Sequence, residues 1–387
     1  MLEIFFAFLF LGVIAFGGPV AHLGYFHQAF VQRRGWLSEH DYADLLTLCQ
    51  FLPGPASSQV GFAIGLYRGG LPGAIAAWMA FTLPSALMLL LFALSAASFG
   101  GQFGQSLIDG LKLVAVAIVA HAVWSMGRRL CPDRQRVGIA LGALFIVTLL
   151  GGLFGQLLAI AAGAVAGVLL CRSQVELGEG RMAFVVGRWV SRLALGLFVL
   201  LLGILPLFAL GDSLALVTAD ALFRAGALVF GGGHVVLPML ESAVVAPGWV
   251  SQSDFLTGYG VVQAVPGPLF SLASYLGAII APVGQAVPYA LLALVMLFLP
   301  GFLLLLAVMP HWERLRRSVT AQTLMLGANA AVVGVLGAAL YDPVWVGAIS
   351  GPWEMAIALG GFLLLSVWRC PAWVVALGGA LSGLILP

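Results

Sequence analysis

Two Pro-Gly-Pro runs stand out for their chemistry, Pro53-Gly54-Pro55 and Pro266-Gly267-Pro268. Each follows a glutamine (Gln50, Gln263) and precedes serines (Ser57 and Ser58; Ser271 and Ser274). Proline lacks an amide hydrogen, so each run interrupts the hydrogen bonding of a helix. The helix that restarts beyond it presents free N–H groups and a partial positive charge, which suit an anion. The neighbouring hydroxyls and carboxamides add donors for an oxyanion. A kink that only aids packing is the other reading of one such run, and the presence of two at equivalent positions favours a site.

Two glycine clusters, Gly17-Gly18-Pro19 and Gly231-Gly232-Gly233, can form amide-lined anion nests or tight turns. His22 and His234 follow them, and Arg224 sits inside an apolar stretch just before the second. An arginine in hydrocarbon must be paired or line an aqueous path. Arg224 therefore has two open roles, pairing with a dianion or bridging to Asp220 one turn back. Proton coupling has four candidates, His22, His234, Asp41 and Asp254, and the two aspartates equally fit the first turns of helices. Lys112 sits three residues after Asp109 as an ion pair.

The elements that position these residues must be membrane helices. Of 387 residues, 62% are hydrophobic and only 8% charged, against about 25% charged in ordinary soluble domains. Apolar runs of the length a bilayer demands, roughly 20 residues, recur along the chain. The run from Ile4 to Phe16 has no basic flank and no small-x-small cleavage site after it, so it reads as a first membrane segment. The net charge of +2 gives no argument for nucleic acid. The four cysteines lack metal or disulfide spacing. Gly211-Asp212-Ser213-Leu214 matches a lipase-like string without a triad. Pairs such as Gly61/Gly65, Gly163/Gly167 and Gly379/Gly383 read as helix-packing faces. With no phosphate-binding loop, zinc-protease motif or cofactor box, the expectation is no enzyme, cofactor or metal.

The chain also repeats itself. Phe16-Gly17-Gly18, Trp36-Leu37-Ser38 and the first Pro-Gly-Pro recur as Phe230-Gly231-Gly232, Trp249-Val250-Ser251 and the second, at an offset of 213 to 214. The tryptophan-to-proline spacing is 17 in both. Residues 1–172 form one repeat, 216–387 the other, and 173–215 a basic linker with an extra apolar segment. Ser38 and Ser251 are placed to cap the helices that follow them. The arms around each break are short for a full crossing, which predicts re-entrant hairpins. Arg33, Arg34 and the cluster from Arg128 to Arg136 mark one side of the first half, whereas in the second half the matched loops lack basic residues and Arg314, Arg316 and Arg317 occupy the intervening one. Opposite bias in matched loops predicts an inverted repeat, all-α, with about 10–12 spans. Inversion needs an odd number of crossings before the second unit. Five are counted through Cys171, and the run at 193–210 would make a sixth, so whether it crosses stays open.

The linked strings Phe16 to Phe26, Trp36-Leu37-Ser38 and Gln50 to Gln59, with Phe230 to His234 and Gln263 to Pro268 in the second half, resemble the long, two-domain members of the chromate ion transporter (CHR) family. The resemblance covers nearly the whole chain. It implies a secondary active transporter in the bacterial inner membrane that exports chromate and gives chromate resistance. Chromate, sulfate as a related dianion, and protons are the implied transported ions, with a homodimer as an assembly to test. Relatives carry a basic residue where Phe10 stands, the position matching Arg224, so only the second half keeps it here. A transporter for sulfate or another small anion, or an anion channel, uses the same features.

Overall fold

The computed structural model describes residues 1–95, 102–172, 186–211, 213–230 and 233–384. The first half gives α1 (Leu2–Ile14), α2 (Gly18–Phe26), α3 (Glu39–Phe51), α4 (Ala56–Ser95), α5 (Gln102–Leu130), α6 (Arg134–Leu150) and α7 (Gly152–Leu170). After it come α8 (Arg188–Phe208), α9 (Leu214–Ala227), α10 (Val236–Val244), α11 (Gln252–Ala264), α12 (Leu272–Ile280), α13 (Ala286–Val308) and α14 (Trp312–Arg316). The chain ends with α15 (Val319–Ala339), α16 (Val346–Ala348), α17 (Pro352–Ser366) and α18 (Ala372–Ser382). Among the described residues there is no β-strand.

Six helices are long and apolar enough to cross a bilayer: Ala56–Ser95, Gly104–Leu130, Gly152–Leu170, Arg188–Phe208, Ala286–Arg316 and Val319–Ala348. Shorter apolar helices, such as Leu2–Ile14 and Leu269–Ile280, accompany them. Their outward faces carry large apolar side chains, Leu169 and Leu207 among them, at 73% and 67% exposure. Water would penalise such faces and lipid does not, so this is an all-α polytopic membrane protein. The run at 193–210, left open by the sequence, lies in α8, which is long enough to span.

The chain divides into two compact units that each draw on both halves of the sequence. Unit 1 is Met1–Leu90, Leu177–Val236 and Pro266–Ser318; unit 2 is Leu91–Glu176, Leu237–Val265 and Val319–Pro387. In unit 1, α13 packs on α8, α9 and α12. In unit 2, α15 packs on α6 and α7 while α5 packs on α11, α17 and α18. Small residues set the closest approaches. Gly163 and Gly167 lie against Gly327, and Gly379 and Gly383 against Gly110 and Ser106, so these pairs form packing faces as their spacing predicts.

Local chemistry explains where the helices around the first break begin and end. The Ser38 hydroxyl accepts from the Asp41 amide at 3.1 Å, and Ser251 does the same for Asp254 at 3.0 Å. Both serines also donate to the carboxylates of those aspartates. Helix α3 stops at Phe51, the chain runs extended through Leu52, and α4 starts at Ala56. Helix α4 itself kinks at Gly69 and Gly70. Thirteen residues of α3 make about 20 Å, short of the roughly 30 Å hydrocarbon core. The ends of this broken segment come back together. Arg34, just before α3, and Arg68, beyond the break, both stack on Trp36, at 5.5 and 5.4 Å. Both also reach Glu3, at 3.9 and 3.7 Å.

Candidate anion site

Both breaks lie in unit 1, and each is held by the other half of the sequence. The Gly54 amide donates to the Val229 carbonyl at 2.6 Å, and the Gly267 amide donates to the Ala15 carbonyl at 3.0 Å. Ala15 and Val229 each immediately precede a Phe-Gly-Gly motif. Both glycines adopt φ above +110°, at +121° for Gly54 and +113° for Gly267, a region L side chains avoid. Neither has room for a Cβ. At Gly54 it would meet the Gly301 Cα at 2.9 Å, and at Gly267 the Ser85 Oγ at 2.7 Å. Gly301 follows Pro300 and Ser85 follows Pro84, so the two contacts are equivalent in the two halves.

That equivalence accounts for a difference between the breaks. Ser58 and Ser271 occupy matching places after their Pro-Gly-Pro runs. The Ser271 hydroxyl meets the Ser85 hydroxyl at 2.6 Å, and Ser85 also donates to the Thr82 carbonyl at 2.9 Å. At the first break the corresponding position is Gly301, which offers no hydroxyl. The Ser58 Oγ is accordingly buried without a partner. Beside it, Gln59 donates through Nε2 to the carbonyls of Pro53 and Gly301, both at 2.9 Å, and its buried Oε1 has no partner. Further on, Ser274 donates to the Ala86 carbonyl at 2.9 Å.

The first glycine cluster and Gly233 lie close to these residues. Gly17 and Gly18 have φ of +105° and +76°. A Cβ on Gly18 would come 3.9 Å from the His234 Nε2, and one on Gly233 would meet Pro19 and Leu269. His22 is fully buried, with Nε2 3.1 Å from the same Ala15 carbonyl that receives the Gly267 amide. A carbonyl only accepts, so Nε2 carries a proton and the buried, unpartnered Nδ1 of the neutral ring is a bare acceptor. Thr82 Oγ1, also in unit 1, is buried and unpartnered as well. Buried polar atoms are almost always satisfied. Around the breaks, His22 Nδ1, Ser58 Oγ, Gln59 Oε1 and Thr82 Oγ1 are all left without a partner.

The remaining expected residues fall out as follows. Pro53, Pro55, Pro266 and Pro268 frame the breaks, and Ser57 is buried behind the first. Gln50 is exposed near the end of α3. Gln263 lies in unit 2, buried in α11 with its Nε2 unpartnered. Gly231 and Gly232, like Asp212, lie outside the described residues. Arg224 donates from Nε to Asp220 at 2.8 Å and stays one-third exposed, while Phe10 at the matching position is 61% exposed. Asp41 is partly exposed and Asp254 exposed, each at a helix start. Lys112 pairs with Asp109 at 2.8 Å.

Sequence reading missed Gln59, Thr82 and Ser85, and it missed a buried ion pair. Arg316, 4% exposed, donates to Asp44 at 3.0 Å and to Glu313 at 2.6 Å. The matched Pro-Ser and Pro-Gly dipeptides at 84 and 300 were the one signal that pointed to Ser85.

Comparison with known proteins bears on this candidate site. The model of the chromate transporter family matches residues 2–168 and 216–384. The chromate transport protein of Pseudomonas aeruginosa is 29% identical over all of this chain and 92% of its own length. That of Cupriavidus metallidurans is 27% identical over 98% of this chain and 91% of its own. A protein of Synechococcus elongatus named "Probable chromate transport protein" is 28% identical over 98% of this chain and 93% of its own. No solved structure matches the chain.

Proposed function

Because this chain belongs to the chromate transporter family, we propose that it is a secondary active transporter that exports chromate across the bacterial inner membrane and gives chromate resistance. The observation that carries this reading is the crossed pair of backbone hydrogen bonds, Gly54 to Val229 and Gly267 to Ala15, which ties each helix break to the opposite half of the sequence beside unsatisfied buried donors and acceptors. A tetrahedral dianion offers oxygens in several directions. Amides at the starts of the helices after Pro55 and Pro268, the Ser58 hydroxyl and the glycine clusters supply donors to meet them. Arg224 is a reserve of positive charge, released if Asp220 gives it up.

Membrane geometry follows the arginines. The two halves are inverted, and the broken segments at 39–67 and 252–280 are re-entrant hairpins entering from opposite sides. Non-helical backbone at membrane depth is tolerated where it lines a polar cavity, which is what an ion path requires. Alternating access opens the shared site first to one side and then to the other. An inside-negative potential of 100 mV favours departure of each negative charge by about 2.3 kcal/mol, so a dianion leaves without ATP. His22 is the proton-coupling candidate with the best geometry. Its Nδ1 gains a proton only when the ring becomes charged, and a bound dianion beside it would favour that charge.

Chromate uptake into everted vesicles energised by respiration tests this reading. Saturable uptake that collapses with an uncoupler is the expected result. Uptake that rises with chromate without saturating points to an anion channel, and no uptake by well-expressed protein removes chromate as the substrate. Excess sulfate in a parallel sample sets the selectivity between the two dianions.

A further inference from the structure

We propose that unit 2 carries a binding site for one anionic phospholipid, with its phosphate on Arg128 and an acyl chain laid along α5. This inference is independent of the transport reading.

The end of α5, the first half of α6 and the C-terminal third of α15 enclose an apolar groove of about 410 Å³, lined by Trp124, Cys131, Leu141, Leu144 and Gly337 with Arg128 at its rim. A second apolar pocket of about 300 Å³ continues it past Ala120 to Val116 and Phe362. The two share Val123 and Trp124, so they form one channel along a single helix. From Arg128 to Val116 α5 rises about 18 Å, the reach of a long acyl chain. Glycines create the groove. Gly334 lets α15 lie directly against Ala140 of α6, and at Gly337 a Cβ would meet only the Leu144 Cδ1, at 3.5 Å. The far side stays open, and the walls are almost wholly apolar.

Charge selects the occupant. Arg128 is exposed, stacks 5.8 Å from the Trp124 ring centroid, and makes no ion pair among the described residues. Arg134, exposed at the start of α6, is likewise without an ion pair among them. Arg136, by contrast, is taken up by Asp133. A tryptophan beside arginines at the end of a span marks the headgroup boundary. An apolar furrow rimmed by the uncompensated Arg128 guanidinium, with Arg134 at the start of the adjoining helix, fits a phosphate ester with a fatty tail. A zwitterionic lipid offers the same phosphate but brings its own ammonium beside it, so an anionic lipid meets the Arg128 charge better.

Native mass spectrometry of the purified full chain in detergent, with added phosphatidylglycerol or phosphatidylcholine, tests the site. The wild type should retain phosphatidylglycerol in preference to phosphatidylcholine. Arg128→Gln should weaken phosphatidylglycerol retention roughly fivefold and bring it to the phosphatidylcholine level, while Arg128→Lys retains most of it. Gly337→Phe, which fills the groove, should weaken both lipids. Glycerol phosphate, which has the headgroup chemistry without a tail, should not compete. Circular-dichroism melting without lipid checks that each variant is folded, and a stabilisation by phosphatidylglycerol that Arg128→Gln loses gives a second readout. Equal retention of the two lipids by the wild type overturns the proposal. So does full retention by both variants, or displacement by glycerol phosphate.

Discussion

The Gly54 amide donates to the Val229 carbonyl at 2.6 Å, and its counterpart Gly267 donates to Ala15 at 3.0 Å. Each half of the sequence thus closes the break of the other. Both glycines hold a φ that costs another residue about 1–3 kcal/mol, and steric contact is added to that cost. Gly54→Ala should be the more damaging, because its Cβ meets backbone at Gly301 and nothing there can be trimmed. Gly267→Ala meets a side chain, so Ser85→Gly should restore part of its loss. Thermal unfolding in detergent measures both effects, and a Gly54→Ala protein with wild-type stability and transport would refute the arrangement.

Ser58 and Ser271 should separate function from stability. The Ser271 hydroxyl is engaged with Ser85, so Ser271→Ala should cost about 1 kcal/mol of stability. Ser58 has no partner to lose. Ser58→Ala should therefore leave the unfolding temperature unchanged and raise the half-saturating chromate concentration in vesicle uptake. The reverse pattern would remove Ser58 from the site.

Arg224 is held by Asp220 at 2.8 Å. If it serves the anion, Arg224→Gln abolishes uptake in a protein that still folds, and Asp220→Asn, which releases the guanidinium, lowers the half-saturating concentration. Uptake unchanged by Arg224→Gln would leave the pair a purely structural bridge, consistent with the exposed Phe10 at the matching position.

The buried pair of Asp44 and Arg316 should show asymmetric costs. Removing one member of such a pair costs about 3–5 kcal/mol. Arg316→Gln takes from Asp44 its guanidinium partner at 3.0 Å, whereas Asp44→Asn leaves Arg316 its contact with Glu313 at 2.6 Å. The arginine substitution should therefore destabilise more, and the double variant should cost less than the sum of the two. Strict additivity in unfolding measurements would show that the two side chains are not coupled.

These sites differ in how far the sequence discloses them. The caps at Ser38 and Ser251 and the breaks at the prolines are set by residues within one turn, so residue type alone locates them. The duplication was legible because three motifs recur in order. The crossed bonds were not, because they join backbone to backbone across the two halves and leave no trace in side-chain identity. Ser85 sits in an apolar helix like any other small residue, and only its mate at Gly301 gives it meaning. Asp44 and Arg316 are 272 residues apart, and either one alone looks like a solvated charge. The units themselves interleave the two halves, which no linear reading of domain boundaries at 172 and 216 conveys.

The proposed inversion of the two halves makes a prediction that needs no substrate. Arg34 and Pro247 stand at the same place in the two repeats, two residues before Trp36 and Trp249, and both are exposed. If the halves are inverted, these positions face opposite sides of the membrane, with Arg34 among the cytoplasmic arginines. Single cysteines placed there, in a chain whose four native cysteines are replaced, should react differently with a membrane-impermeant maleimide. In intact cells Pro247→Cys labels and Arg34→Cys does not, and everted vesicles reverse the pattern. Labelling of both from the same side would mean that the repeats run parallel. The two hairpins would then enter from one face, and a site alternating between two openings would need a different origin from the symmetry of the sequence.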